Sequence, residues 1–178
     1  ARQQGQPVIA RDELLQAQRW HALAAERRMN SVTALTRRYG DLDEPRCPRL
    51  RSRNDELAYM VGLVTALQAV RSDLLSGGQV GVPRDLAVQA MRASTCLDNE
   101  RWWGVPQAIR ATVWSFVPGS APDGADVWQA YRQAGAIDQS WTDLQRACAT
   151  PPNRTALVGA VALALIDMLD RFAADGFA

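Results

Sequence analysis

Apolar residues recur every three or four positions along most of the chain, which is the spacing of one face of an α-helix. The clearest stretch follows Asn54 and carries six apolar residues at this spacing: Leu57, Met60, Val61, Val64, Leu67 and Leu74. Alternating runs of β-branched residues, which indicate strands, are nearly absent. The pattern therefore predicts an all-α protein.

The first helix is predicted from near Arg11 to Tyr39. Gly40 follows as the stop signal, because glycine readily adopts the left-handed conformation that ends helices. Asn30 and Ser31 are candidates for a break, with Ser31 as the N-cap of a new helix. The stretch is therefore expected to form either one long helix or two shorter ones.

The second helix is predicted to begin with Asn54 as its N-cap and to end at the glycine-rich stretch 76–82. Pro83 and Pro106 fit the first positions of a third and a fourth helix, because no intrahelical N–H bond is needed there. The third is expected to end around residues 98–99.

Three further helices are predicted towards the end of the chain. Residues 125–134 form a short one, and a capping motif at 140–143 opens the next. The last, at about 154–173, is apolar almost all round in its first half, as a central buried helix is.

These patterns predict a single-domain bundle of six to eight helices over residues 11–175, with a flexible polar leader at 1–10. A helical-repeat array is the alternative arrangement. It is suggested by the similar stretches 11–19 (RDELLQAQR) and 84–92 (RDLAVQAMR), which an ancient duplication or chance would explain equally well.

Composition changes this picture mainly by exclusion. The chain has 178 residues and a net charge of +1, and all 20 of its basic residues are arginine. Without lysine, a Walker-type phosphate loop and Schiff-base catalysis are excluded. His21 is the single histidine, which excludes multi-histidine metal sites. No metal and no cofactor are predicted.

The three cysteines form no CxxC pair, which argues against zinc and thioredoxin-type sites. Cys47 lies between two prolines in a loop, and a disulfide to a helix carrying Cys96 or Cys148 could hold that loop in an exported protein. In the cytosol all three cysteines would instead be small buried residues. We expect export to the periplasm or cell envelope, with the cytoplasm as the alternative.

The bias towards arginine and alanine indicates a GC-rich bacterial genome. The chain begins with Ala1, so we expect a processed or trimmed chain whose removed leader could have been a signal peptide or a lipoprotein tether. The longest apolar run, 156–166, gives a helix of roughly 16 Å, about half a bilayer core. No transmembrane span is therefore predicted.

Basic residues concentrate before residue 54. Residues 1–53 carry a net charge of +5 (11 arginines, 6 acids), and residues 54–178 carry −4 (9 arginines, 13 acids). The candidate ligand- or partner-binding arginines crowd into one turn and loop: Arg37, Arg38, Arg49, Arg51 and Arg53. They could bind a carboxylate or phosphate, or pair with the acidic remainder of the chain. Nucleic acid is an unfavoured partner, because the whole chain is nearly neutral.

Trp102 and Trp103 are the remaining candidate binding residues. Adjacent tryptophans cannot share a helix face, so one of them is expected to point away from the core and anchor an interface or line a pocket. Ordinary packing at a helix end is the alternative. Asp167 and Asp170 share one helix side at i, i+3 and are expected to be solvated or ion-paired.

No catalytic constellation stands out, so an enzyme is not the leading class. The leading hypothesis is a binding or adaptor protein of a bacterial cell envelope, which holds a partner protein or an apolar, lipid-like small molecule in a groove between helices. A small all-α enzyme that binds an anionic substrate through arginines is one alternative. A cytosolic helical regulator or nucleic-acid binder is the other.

Overall fold

The computed structural model describes residues 7–136, and every regular element in this range is helical. The five α-helices are α1 (Pro7–Tyr39), α2 (Arg53–Ser76), α3 (Leu86–Ala93), α4 (Val105–Phe116) and α5 (Val127–Ala136). The all-α prediction is confirmed for this part of the chain. The two helices predicted after residue 136 and most of the predicted leader lie outside the described residues.

The first helix is longer than the sequence predicted. It begins at Pro7, not near Arg11, and runs for 33 residues without the break considered at Asn30 and Ser31. Pro7 fits the first helical position, where its missing N–H has no cost. The Ser31 hydroxyl donates to the carbonyl of Arg27, 3.3 Å away, so it bonds back to its own helix and does not cap a new one.

The second helix begins with a different cap from the one predicted. Ser52, not Asn54, is the N-cap: its backbone is extended, and its hydroxyl accepts a 3.1 Å hydrogen bond from the Asp55 N–H. Gly77 ends the helix as predicted, in the left-handed conformation at φ +84°.

Helices α1 and α2 form an antiparallel hairpin. The Arg28 guanidinium donates to the Ser72 hydroxyl near one end, and at the other end the Tyr39 and Tyr59 rings meet edge to face with centroids 5.4 Å apart. Helix α2 is the central helix of the described residues, because it is buried on more than one side. Its buried apolar residues are Tyr59, Met60, Leu63, Val64, Ala66, Leu67, Ala69 and Val70.

The Asp73 side chain organises the loop that follows α2. It is buried, and its carboxylate accepts backbone N–H bonds from Val80 (2.8 Å), Gly81 (3.2 Å) and Val82 (2.9 Å). The chain then turns before α3 begins at Leu86, so this helix starts later than the predicted Pro83. The turn returns α3 along α2 to bury small residues against it.

Helix α4 begins beside α5 through a glycine. Gly104 lies at φ +78°, and a Cβ added there would overlap the backbone of Ala134 in α5. Pro106 occupies the first turn of α4, close to the predicted start. Gly104 therefore sets both the start of α4 and the close approach of α5.

Candidate binding trough and arginine end

The predicted arginines lie at one end of the hairpin, where α1 ends and α2 begins; we call this the arginine end (residues 37–56 and 98–104). Arg38 forms a 2.8 Å ion pair with Asp55. The same carboxylate accepts bonds from the Tyr39 hydroxyl (3.3 Å) and the Arg51 backbone N–H (3.3 Å). The hydrogen bond from Arg38 lowers the pKa of Asp55; burial opposes this shift, and bonds from Ser52 and Arg51 add to it.

Trp102 belongs to the core and not to an exposed surface. It is 1% exposed, and its indole N–H donates to Glu56 over 2.8 Å, while Arg101 forms a 2.8 Å ion pair with the same carboxylate. The Arg53 guanidinium lies over the Trp102 ring, 5.5 Å from its centroid. Trp102 therefore has its polar edge fixed inside the protein, as ordinary helix-end packing requires.

Trp103 turns away from Trp102, as adjacent tryptophans must. Its ring meets that of Trp102 edge to face with centroids 6.3 Å apart, and it stays half-buried. Its backbone lies at φ +49°, an unusual conformation for a bulky residue. The structure thus brings Trp102, Trp103 and Arg53 together but leaves neither indole in an open pocket.

The remaining predicted arginines face solvent. Arg37, Arg49 and Arg51 are exposed, and within residues 7–136 none of their guanidinium groups forms an ion pair. Among the described residues, an ion pair therefore accounts for Arg38 and not for Arg37, Arg49 or Arg51. Among residues 7–136 these exposed guanidiniums do not converge on a buried pocket.

A disulfide between Cys47 and Cys96 fastens the arginine-rich loop to the short 3-10 turn Ser94–Cys96. The two Cα atoms lie 5.4 Å apart, although the residues are 49 positions apart in the sequence. This is one of the two pairings predicted for the Cys47 loop; Cys148 lies outside the described residues. The loop is consequently held at the arginine end.

A cavity of about 530 Å³ lies between α1 and α2 on one side of the hairpin. Its lining is mostly small or apolar: Ser31, Ala34, Leu35, Ala58, Val61, Gly62 and Thr65, with Arg38, Tyr39, Asn54 and Asp55 at the arginine end. The Thr65 hydroxyl donates to the Val61 carbonyl over 2.8 Å, so, like that of Ser31, it is satisfied by its own helix. The floor therefore presents an apolar surface despite its two hydroxyl-bearing residues.

The depth of this cavity depends on Gly62. A Cβ added there would overlap the side chain of Leu35, so the missing side chain lets Leu35 lie directly against the backbone of α2. Ala34 and Ala58, on the two walls, are exposed. The walls are low, and the cavity is open along its length.

A second cavity of about 280 Å³ continues along the same side of α1, lined by Trp20, Leu23, Ala24, Arg27 and Arg28. The α1 residues of the two cavities follow one another at three- and four-residue intervals: 20, 24, 27, 31, 34 and 38. They therefore form one stripe about 27 Å long. We call this stripe, with the facing residues of α2, the trough.

The two ends of the trough differ in charge and exposure. At the far end Trp20 is 63% exposed. Arg27 is exposed beside it, and Arg28 is half-buried. Burial, and then the nearby charge of Arg71, lower the pKa of Arg28. At the other end Arg38 is ion-paired with Asp55, whereas the described lining of the second cavity holds two arginines and no carboxylate.

Sequence reasoning did not find the trough. The predicted site residues are large apolar or charged ones, whereas the walls and floor of the trough include the small residues Ser31, Ala34, Ala58 and Gly62. The available signal was the coincidence of small residues at helical spacing on two neighbouring helices. That signal becomes specific only once the pairing of α1 with α2 is known.

Within residues 7–136 no helix combines the length and apolar character needed to cross a membrane. Over the same residues, no group of three or more histidine, cysteine, aspartate or glutamate side chains is placed to hold a metal ion. No family model matches the chain, and neither a curated protein nor a solved structure matches it.

Proposed function

We propose that this chain is a non-catalytic binding protein of a bacterial cell envelope, and that its trough holds an amphipathic helix of a partner protein. The observation that carries the proposal is the continuous trough along α1, with its apolar floor and exposed rim. A helix laid in a groove between two helices is a recurrent mode of protein recognition.

The shape of the trough fits a helix better than a compact ligand. Its small residues let another helix backbone approach closely, and its length of about 27 Å matches about five helical turns. A drug-sized ligand is usually buried over most of its surface in a pocket of 300–1,000 Å³. The 530 Å³ cavity has that volume but is open along its side.

The charges on the rim indicate what kind of helix would bind. Arg27 is exposed and Arg28 is half-buried beside the apolar surface of Trp20 and Leu23. A partner helix with an apolar stripe and acidic residues beside it would bury its stripe on the floor and pair its acids with these arginines. Such charge complementarity would fix the direction of binding as well as speed association.

The compartment is proposed from the disulfide. Structural disulfides persist in the periplasm and on cell surfaces and are rare in the reducing cytosol. The exposed position of Cys47 would leave its disulfide accessible to cellular reductants. An oxidising compartment is therefore the setting in which the arginine end keeps this geometry.

The proposal is tested with a fluorescent amphipathic peptide that carries leucines at i, i+3, i+4 and i+7 and glutamates beside them. Fluorescence anisotropy should show binding to the intact chain, and a scrambled peptide of identical composition should not bind. Ala34→Arg blocks the trough and should weaken binding at least tenfold. Thr33→Arg places the same side chain on the outer face of α1 and should leave binding unchanged.

Equal binding of the two peptides, or equal effects of the two variants, would contradict binding of the helix in the trough. The lipid-like small molecule is the second candidate, favoured by the cavity volume. Native mass spectrometry of gently purified protein distinguishes it. A bound small molecule that is lost in Ala34→Arg and kept in Thr33→Arg would replace the partner helix as the occupant.

A further inference from the structure

The first part of α1 extends beyond the end of α2. Arg28 of α1 contacts Ser72 of α2, and α2 ends at Ser76, about one turn further on. Because the two helices are antiparallel, α2 ends about one turn closer to the start of α1 than Arg28. Residues 7–23 therefore extend past α2 over roughly 25 Å, and we call them the α1 extension. Nine of the ten residues 11–20 in this extension are exposed.

We propose that two copies of this chain pair through this extension, with α1 antiparallel to α1 of the second copy and the two Trp20 side chains meeting on a two-fold axis. The α1 extension of each copy then lies on the Trp20 end of the other copy's trough. The inference rests on the proposed function in one respect, because it takes that end of the trough as a surface for a helix. It goes beyond the proposed function by naming the helix, which is α1 itself.

One face of α1 carries the residues that such a pair needs. Glu13, Trp20 and Arg27 are all exposed and lie in line along the helix, because each is seven residues, about two turns, from the next. Ala17 and Ala24 lie between them, so the spacing along this face alternates between four and three residues. This alternation is the spacing at which two helices pack along a common seam. The two alanines leave room for the large Trp20 side chain of the second copy.

The charges on this face select the antiparallel direction. Glu13 and Arg27 lie at equal distances on either side of Trp20, so a two-fold axis at Trp20 places Glu13 of each copy opposite Arg27 of the other. Asp12 lies beside Glu13 and Arg28 beside Arg27, which gives both ends of the contact opposite charges. In a parallel pair, Glu13 would instead face Glu13, and Arg27 would face Arg27. Opposite charges across an interface fix its register, and like charges disfavour the wrong one.

The contact is small, so the association should be weak. Glu13 and Arg27 are separated by about 21 Å of helix. Stable interfaces bury about 1,200–2,000 Å² in total, and weak, transient ones bury less. A single helix pair of this length belongs to the weak class, so we expect a dissociation constant in the micromolar range. Analytical ultracentrifugation from low micromolar to near-millimolar concentration should show a monomer–dimer equilibrium, and a chain that stays monomeric throughout would overturn the proposal.

Charge reversal tests the pairing at exposed positions. Glu13→Arg alone and Arg27→Glu alone should each weaken the dimer about tenfold or more, because each places like charges at both ends of the contact. An equal mixture of the two variants should form a heterodimer, because both ends then carry opposite charges again. Glu26→Arg makes the same change in charge as Glu13→Arg, about 120° away from Trp20 around the helix, and should leave association unchanged. Single variants that dimerise as well as the unchanged chain, or a mixture that stays monomeric, would overturn the proposal.

The absence of lysine allows the direction of the pair to be measured. In the intact chain the only native primary amine is the α-amino group, so one introduced lysine is the only side chain that an amine-reactive cross-linker can join. In the antiparallel pair the two copies of Arg19 lie beside the axis, whereas the two copies of Arg37 are about 50 Å apart. Both positions are exposed, and a change to lysine keeps the charge.

Each single-lysine variant is treated with a short cross-linker as a mixture of isotope-labelled and unlabelled chains, and links between chains are counted by mass spectrometry. Arg19→Lys should give links between two chains, and Arg37→Lys should give several-fold fewer. Equal yields at the two positions would indicate a parallel or non-specific contact and overturn the proposal.

Adding the amphipathic peptide separates this inference from the proposed function. If the second copy and the peptide use the same end of the trough, the yield of links in Arg19→Lys should fall as the peptide concentration rises. Peptide binding with no loss of links would contradict the position of the α1 extension on the trough. Peptide binding to a chain that stays monomeric supports the proposed function and overturns the self-pairing. Links in Arg19→Lys from a chain that does not bind the peptide support the self-pairing and contradict binding of another protein's helix.

Discussion

Reduction of the Cys47–Cys96 disulfide should lower the stability of the protein markedly. The bond joins residues 49 positions apart, so in the unfolded chain it closes a loop of about that length. In the chain-entropy model, closing such a loop costs the unfolded state about 4 kcal/mol.

For a chain of 178 residues, a loss of about 4 kcal/mol corresponds to a fall in Tm on the order of 10 °C. Differential scanning calorimetry with and without reductant measures it. The double variant Cys47→Ser with Cys96→Ala should show the lower Tm under both conditions. Cys148→Ser serves as the control, because it keeps the disulfide and should lose as much stability on reduction as the unchanged chain does.

Thiol counting gives an independent readout. Under denaturing conditions the oxidised protein should expose one free thiol, and the reduced protein should expose three. A Tm that does not change on reduction would contradict the entropic reasoning. Three free thiols in protein prepared without reductant would contradict the disulfide itself and remove the support for an oxidising compartment.

Three further predictions concern stability. Asp73→Asn should cost about 2–3 kcal/mol in urea denaturation, because a buried carboxylate that accepts three backbone N–H bonds loses its charge. Gly104→Ala should cost about 3 kcal/mol or more, because positive-φ strain adds to overlap with the Ala134 backbone. Arg38→Gln should make the loss of thermal stability below about pH 4 shallower. The hydrogen bond from Arg38 lowers the pKa of Asp55 in the folded protein. The bond therefore stabilises the fold at pH values above the pKa of the unfolded carboxyl group, and this stabilisation is lost as the pH falls through the folded pKa.

The first two of these variants have matched controls. Asp85→Asn changes an exposed carboxylate and should alter stability by no more than about 0.5 kcal/mol. Gly119→Ala introduces the same backbone strain at φ +75°, with nothing within 4 Å of the added Cβ, so it should cost less than Gly104→Ala. Equal costs at the two glycines would refute the close approach of α5. If Arg38→Gln loses thermal stability below about pH 4 as steeply as the unchanged chain does, the coupling of Arg38 to Asp55 is contradicted.

The sequence predicted best where a residue imposes a backbone conformation. Gly40 and Gly77 end α1 and α2 in the left-handed conformation, and Pro106 lies in the first turn of α4, all as expected. Prediction was weaker where a polar side chain has two local options. Ser31 could have capped a new helix but bonds back within α1, and Ser52 takes the cap assigned to Asn54. Both options have similar energies locally, so tertiary packing decides between them.

The candidate site was harder to predict for a different reason. The arginine cluster is visible in the sequence, but whether a guanidinium is paired depends on distant residues, as the contact of Arg101 with Glu56 shows. Burial of Trp102 likewise depends on that glutamate. The trough depends on the pairing of two helices whose small residues have no distinctive local pattern.

The depth of the trough can change through a single substitution at Gly62. Because its missing side chain sets how far Leu35 sinks, one substitution to alanine would push that leucine outwards by roughly the size of a methyl group and make the trough shallower. Alanine also favours a helix more than glycine does, which would offset part of the packing cost. The depth to which an occupant's side chain can insert can thus change by one mutation while the hairpin persists. Related proteins with alanine at this position would be expected to select partners with shorter side chains at the contact.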